Sequence, residues 1–271
     1  MKAKALVLLG PGTNRDRDAV EALEAAGGEA LIVPMALVSA RHFDEAGMLV
    51  IPGGFSYGDA LGAGALLALD LERRFADEVG AFVESGRPVI GICNGFQALV
   101  KSGILPGTPV GKKLGSESGA GLGGIGYMPR EREITLARNA RGDFECRWVR
   151  LTAPPSKSRW TEGLGDFACP VAHGEGRIAA RESSSLERIE AEGLVALRYA
   201  ARDGGAAGGV WPANPNGSER DIAGLCNAAG NVLGLMPHPE NAIRPRPRAG
   251  GLRNNHLTAL GLFRNGIRIA G

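Results

Sequence analysis

An α/β fold is predicted, with a mostly parallel sheet, helices on both faces and added antiparallel strands in the C-terminal half. Over the first hundred residues, short apolar runs alternate with segments of helical period. That alternation is the pattern of parallel strands joined by helical crossovers. Two glycine-rich turns, "PGGFSYGD" and "GICNGFQ", follow such runs directly, at the strand ends where open parallel sheets hold ligands. Beyond residue 132 several strand-like runs come close together, some joined by hairpin-length turns such as "AAG". These predict the antiparallel strands.

Taken in order, "KALVLLG" reads as a strand and "RDAVEALEAAG" as a helix stopped at Gly27 and Gly28. "EALIVPM" and "AGMLVIPGG" read as strands, "ALLALDLERRFADEVGAFVESG" as one long amphipathic helix, and "RPVIGIC" as the next strand. From Pro106 to Arg132 the pattern weakens into Gly, Ser and Lys, which reads as a loop insertion around residues 112–132. "EITLARN", "DFECRWVRLTA", "FACPVAHGEG", "GLVALRYA", "DIAGLCN" and "NVLGLMPHPE" read as strands, and the tail "NNHLTALGLFRNGIRIAG" begins as a helix. A chain of 271 residues fits one large α/β domain spanning residues 1–271 better than two small ones.

Lys plus Arg number 31 against 29 Asp plus Glu, a balance that argues against nucleic acid as the main partner. The apolar start "ALVLL" is too short for a signal peptide and reads as the first strand. No apolar run reaches membrane-spanning length. The four cysteines form no C-x-x-C pair, so reduced thiols of a cytoplasmic enzyme are expected, with neither a disulfide framework nor a metal site. The "NGS" at Asn216 then reads as a turn. "GLGGIG" (Gly121–Gly126) has the spacing of a dinucleotide fingerprint but neither a strand before it nor a helix after it. "GTPVGKK" is one residue short of a phosphate loop and has Lys113 where Ser or Thr would hold magnesium.

Cys93 stands between Gly91 and Gly95 at a strand-to-helix join. A nucleophile on so tight a corner projects above the sheet, and the following helix turns its free N–H groups toward the sulfur, favouring thiolate. The corner alone is equally compatible with a small buried apolar cysteine. Cys146, Cys169 and Cys226 lie inside apolar strand patterns and read as such. In "MPHPE" both Met236 and His238 precede proline, which pushes them toward extended backbone. His238 and Glu240 would then face one side, the carboxylate orienting the imidazole, and with Cys93 they make a candidate triad. Gly53 and Gly54 leave N–H groups open after a strand; with that of Asn94 they can form an oxyanion hole, or simply a tight turn.

With these residues assembled, the chain resembles the class I, triad-type glutamine amidotransferases, which have a flavodoxin-like sheet. Within them it is similar to the glutaminase subunits of phosphoribosylformylglycinamidine synthases, of purine biosynthesis. The resemblance rests on "PGTNRDRD", "VIPGGFSYGDALGAGA", "PVIGICNGFQALVKSGILPG", "FECRWV", "PVAHGEG" and "NPNGSERDIAGLCNAAGNVLGLMPHPE". It implies that Cys93 is the nucleophile, His238 the general base and acid, and Glu240 its orienting partner. Gly54 and Asn94 match the oxyanion-hole N–H groups. Gly53, Phe55, Gln97, His173, Gly174 and Glu175 match segments that hold L-glutamine, although His173 also reads as a strand-end structural histidine. No cofactor is implied in this chain. ATP and magnesium belong to a separate large synthetase subunit, often joined by a small bridging one. Arg15 and Asn241 depart from the usual residues, cysteine and arginine, and are expected away from the triad, where they alter partner contacts. The basic loop with Arg244, Arg246 and Arg248 reads either as a partner contact or as a solvated surface. Another cysteine hydrolase of the same architecture is the competing enzyme reading, and a non-catalytic binding module the competing class.

Overall fold

The computed structural model describes residues 2–106, 132–245 and 258–271. In chain order the first half runs β1 (Lys4–Leu9), α1 (Asp16–Ala25), β2 (Glu29–Pro34), α2 (Ala40–Glu45), β3 (Met48–Ile51), α3 (Ala65–Arg73), α4 (Ala76–Glu84), β4 (Val89–Ile92) and α5 (Asn94–Lys101). The second half holds β5 (Ile134–Arg138), β6 (Glu145–Thr152), β7 (Phe167–His173), β8 (Glu175–Ala180), α6 (Ser183–Ala191), β9 (Val195–Ala200), β10 (Ile222–Cys226), β11 (Val232–Leu235) and α7 (Leu260–Ala270).

Nine strands form one sheet in the order β2-β1-β3-β4-β11-β10-β9-β6-β7. The neighbours from β2 to β11 run parallel, and those from β11 to β7 antiparallel. Strands β5 and β8 make a separate antiparallel pair. β3 and β4 are buried at every residue because both faces of the parallel half are covered. Met48 meets α7 at Gly266, while Ile51 meets α5 at Gly95. Residues three apart on a strand point to opposite faces, so α5 and α7 lie on opposite sides of the sheet.

Several elements differ from their sequence reading. The long amphipathic segment is two helices, broken at Arg74 and Phe75, where Phe75 takes φ −132° and ψ 24°. No Gly or Pro marks the break. The turn lets Phe75 bury against Phe43, at 5.7 Å between ring centroids, while the Arg74 guanidinium donates to the Met35 carbonyl at 3.0 Å. "FACPVAHGEG" is two strands, because Gly174 passes the chain from the large sheet to the small one. The last strand ends at Leu235, so "MPHPE" lies beyond it. Helices α2 and α6 have no counterpart in the periodicity reading; α2 has six residues, fewer than two turns. The segment 112–132, the two Gly-rich decoys and Arg246 and Arg248 fall on or run into residues outside those described.

The glycines around the β4–α5 corner are packing requirements. A Cβ on Gly95 would sit 1.9 Å from the Ile51 carbonyl oxygen. Gly95→Ala is therefore expected to lower unfolding stability by about 1–3 kcal/mol, the usual cost of overpacking. Denaturant titration checks this; an unchanged midpoint would mean that β3 and α5 separate freely.

Candidate active site

Cys93 sits where β4 passes into α5, at φ 49° and ψ −103°. That backbone region is sparsely populated and costs a non-glycine residue of order 1–3 kcal/mol. The corner is clamped from both sides: the Cys93 N–H donates to the Leu235 carbonyl at 2.8 Å, and its own carbonyl accepts from the Gln97 N–H at 3.0 Å. Gly91 and Gly95 serve this turn by contact, since a Cβ on Gly91 would lie 2.8 Å from the Gly95 carbonyl oxygen.

His238 follows β11, and its N–H is held by the Pro170 carbonyl at 2.8 Å. Glu240 is the second residue of the short 3-10 turn Pro239–Ala242. The two side chains do meet, but across this turn and not along an extended strand: His238 Nδ1 lies 2.6 Å from Glu240 Oε1, with both groups buried. Nε2 is left for the sulfur of Cys93, with which the ring also hydrogen-bonds. Burial pulls the imidazole toward the neutral form, but the Glu240 carboxylate and the Cys93 sulfur outweigh it and raise its pKa to about 10. Gly53 is needed beneath this pair, because a Cβ there would lie 2.8 Å from His238 Cε1.

The loop after β3 approaches from the other side. Gly54 has φ 97°, and the Asn14 side chain packs so close that a Cβ on Gly54 would sit 2.0 Å from its Oδ1. Among the described residues, neither the Gly54 nor the Asn94 N–H has a protein acceptor. Phe55, Tyr57, Asp59 and Leu61 all have positive φ, a strained run that its surroundings must hold in place. Asn94 does much of this. Its Nδ2 donates to Asp59 Oδ1 at 2.8 Å and to Gln97 Oε1 at 3.1 Å; its Oδ1 accepts from the Ser56 N–H at 3.2 Å and from the Ser56 hydroxyl.

Gln97 points toward the same region, yet its amide is already engaged, donating to the Glu175 carbonyl at 2.5 Å. It therefore fixes the Gly174–Glu175 segment. Glu175 Oε2 in turn accepts from the Ala63 N–H at 3.2 Å. His173 ends β7 with its ring buried. Asn139 Nδ2 donates to the carbonyls of His173 and Asp143, which orients the amide so that Oδ1 accepts from His173 Nδ1 at 3.1 Å. Nε2 is thus the unprotonated nitrogen, and it has no partner among the described residues. Burial and the neighbouring His238 push this ring's pKa down to about 3, so His173 is neutral where His238 is charged.

A pocket of about 220 Å³ is lined by Cys93, His238, Gly54, Phe55, Asn94, Gln97, His173, Gly174 and Glu175. The sequence-selected residues converge there, with Gly53 beneath the pair and Glu240 behind His238. Asn14, Arg15, Asp59, Ala63 and Phe144 also line it and were not selected by sequence. Arg15, expected away from the triad, stands in the pocket wall with Cys93. Asp59 lies in a quoted motif; Phe144 carries no sequence signal, and it reaches the pocket by stacking on Phe55 at 6.4 Å. Asn241 is held at its N–H by the His238 carbonyl. Arg244 pairs with Glu21 of α1. Cys169 and Cys226 are buried as expected, and burial drives both thiols up, Cys226 to about 12. Cys146 instead is exposed, because it falls on the outward-facing side of β6.

A thiol at a strained strand–helix corner, a charged buried histidine with its carboxylate, and a small open pocket stand together on a doubly covered sheet, an arrangement suited to cysteine-dependent cleavage of an amide. The CobB/CobQ-like glutamine amidotransferase domain matches residues 2–268, and the chain belongs to that family. It is 50% identical over 254 residues to phosphoribosylformylglycinamidine synthase subunit PurQ of Treponema denticola, covering 92% of this chain and 91% of that one. It is 39% identical over 276 residues to the subunit of the same name from Dehalococcoides mccartyi, covering 99% and 98%. A solved structure of PurLQS from Thermotoga maritima superposes with a TM-score of 0.68 at 31% identity, over 99% of both chains.

The His238 environment has a pH signature. An imidazole that ionises near 10 when folded and near 6.5 when unfolded adds stability that is complete below about pH 6.5 and lost as the pH climbs to about 10. Nitrogen NMR of the ring is expected to show both nitrogens protonated at pH 8. Glu240→Gln leaves burial opposed by the sulfur alone and should bring the transition down by more than about one pH unit. A neutral wild-type ring at pH 8 would contradict the ion-pair geometry.

Proposed function

We propose that this chain is the glutaminase subunit of a phosphoribosylformylglycinamidine synthase. It hydrolyses L-glutamine to glutamate and ammonia and passes the ammonia to an ATP-dependent synthetase subunit in purine biosynthesis. The names of the relatives and the PurLQS structure support this reading. The observation that carries the chemistry is the Cys93–His238–Glu240 arrangement at the base of the pocket. The Cys93 thiolate attacks the glutamine γ-carbonyl carbon. The Gly54 and Asn94 N–H groups, open toward the site, hold the oxygen as it becomes negative. His238 gives its Nε2 proton to the departing nitrogen, releasing ammonia and leaving a γ-glutamyl thioester on Cys93. The neutral imidazole then takes a proton from water, which cleaves the thioester to glutamate and returns the thiolate–imidazolium pair. Glu240 keeps Nδ1 protonated throughout. His173, Gly174 and Glu175, with Gly53, Phe55 and Gln97, position the amino-acid end of the substrate.

A pocket of about 220 Å³ suits a free amino acid and not a polypeptide, which favours this reading over a protease of the same architecture. The chain itself uses no cofactor; ATP and magnesium act on the synthetase, and a small bridging subunit completes the complex. No described helix is long and apolar enough to cross a membrane, the described cysteines are all free, and the reading places the enzyme in the cytoplasm.

A glutamine-analogue electrophile such as 6-diazo-5-oxo-L-norleucine is expected to label Cys93 and to spare Cys146, Cys169 and Cys226, as peptide mass mapping would show. Exposed Cys146 serves as the control, since it reacts with simple alkylators but offers no amino-acid pocket. Cys93→Ala should lose essentially all glutaminase activity, and His238→Ala should lose most of it with slower labelling. Labelling spread evenly over the four thiols, or turnover by Cys93→Ala, would remove Cys93 from the mechanism.

A further inference from the structure

Glutamine carries two charges at the end remote from its reacting amide, and its amide carbon lies roughly 5 Å from the carboxylate carbon. A pocket that selects it should offer a partner of each sign at that distance from the nucleophile. Two carboxylates, Asp59 and Glu175, line the pocket and suit the ammonium. Neither histidine suits the carboxylate: His173 is neutral, and the charge on His238 is paired with Glu240. Among the described residues the lining contains a single Lys or Arg, and it is Arg15.

Arg15 immediately follows Asn14, whose side chain presses on Gly54. It precedes the first turn of α1, and it is partly exposed while Cys93 is buried. Arg15 therefore stands toward the mouth of the pocket and the thiol at its base. Its ion-pair partner is Asp18, at 3.0 Å, with side chains 41% and 33% exposed. A pair so open to water contributes about 0–1 kcal/mol, little enough for the guanidinium to turn part of its five-donor fork toward another carboxylate.

We propose that Arg15 is a specificity-determining residue that pairs with the α-carboxylate of bound glutamine, while the carboxylates of the lining receive the ammonium. This rests on the reading of Cys93 as the nucleophile of this pocket. The test is made in the complex with the synthetase, comparing L-glutamine with L-glutaminamide, whose α-carboxylate is replaced by a neutral amide, and following the γ-carboxyl product of each. Arg15→Ala and Arg15→Met are expected to lower kcat/KM for glutamine by about ten- to hundred-fold, mainly through KM, as loss of a charge-assisted pair predicts. For glutaminamide the change should stay within about two-fold, since that substrate never made the pair. Arg15→Lys should recover part of the preference. Equal losses on both substrates, no loss on glutamine, or a loss explained wholly by weaker binding to the synthetase would each overturn the proposal. Labelling of Cys93 by chloroacetamide, which has no carboxylate, should be unchanged by these variants. If chloroacetamide fails to label Cys93 in the unaltered protein, the nucleophile assignment fails instead, independently of Arg15.

Discussion

The corner at Cys93 is the constraint on which the rest of the site depends. A non-glycine residue at φ 49° and ψ −103° is not a conformation the chain adopts on its own. It persists because the Cys93 N–H is bonded to Leu235 at the end of β11 and Gly95 is wedged against Ile51 at the end of β3. Those same two strands carry His238 and the Gly53–Gly54 loop. The contacts that hold the thiol in its strained position are thus the contacts that bring His238 and the Gly53–Gly54 loop to it. Adjacency of β3, β4 and β11 in the sheet is what makes this possible.

Two buried histidines face this pocket and titrate in opposite directions. Burial disfavours the charged form of both. His238 has a carboxylate at 2.6 Å and a sulfur to share its second proton, so it is held as imidazolium. His173 has only a neutral amide, and the charge of His238 pushes it further toward neutrality. One ring is therefore protonated at both nitrogens, and the other presents a fixed lone pair. The carboxylate and the sulfur make the difference, since partner charge and not burial sets the sign of the shift.

The loop from Phe55 to Leu61 stores strain of its own, with four non-glycine residues at positive φ. Asn94 joins it to the nucleophile corner through Ser56 and Asp59, and Gln97 joins that corner to Glu175. The side chains of α5 nearest Cys93 therefore brace the pocket walls, while the backbone N–H of Asn94 has no protein acceptor among the described residues.

The class of fold was legible in the sequence because strand and helix periods are local properties, and the parallel core strands are apolar enough to stand out. The nucleophile corner was legible for the same reason, since Gly91, Cys93 and Gly95 lie within one turn. His238 and Glu240, two residues apart, could be paired from their spacing, although the turn that joins them is a 3-10 helix and not an extended strand. The break in the long amphipathic segment was not visible, because it answers to Phe43, over thirty residues away. Nor was the outward face of Cys146, which the pairing of β6 decides. Arg15, Asn14 and Phe144 enter the pocket only because β1, β3 and β6 bring distant loops to one place. Local pattern specified which groups could react; the order of strands in the sheet decided which of them meet, since contacts across strands have no trace in the spacing along the chain.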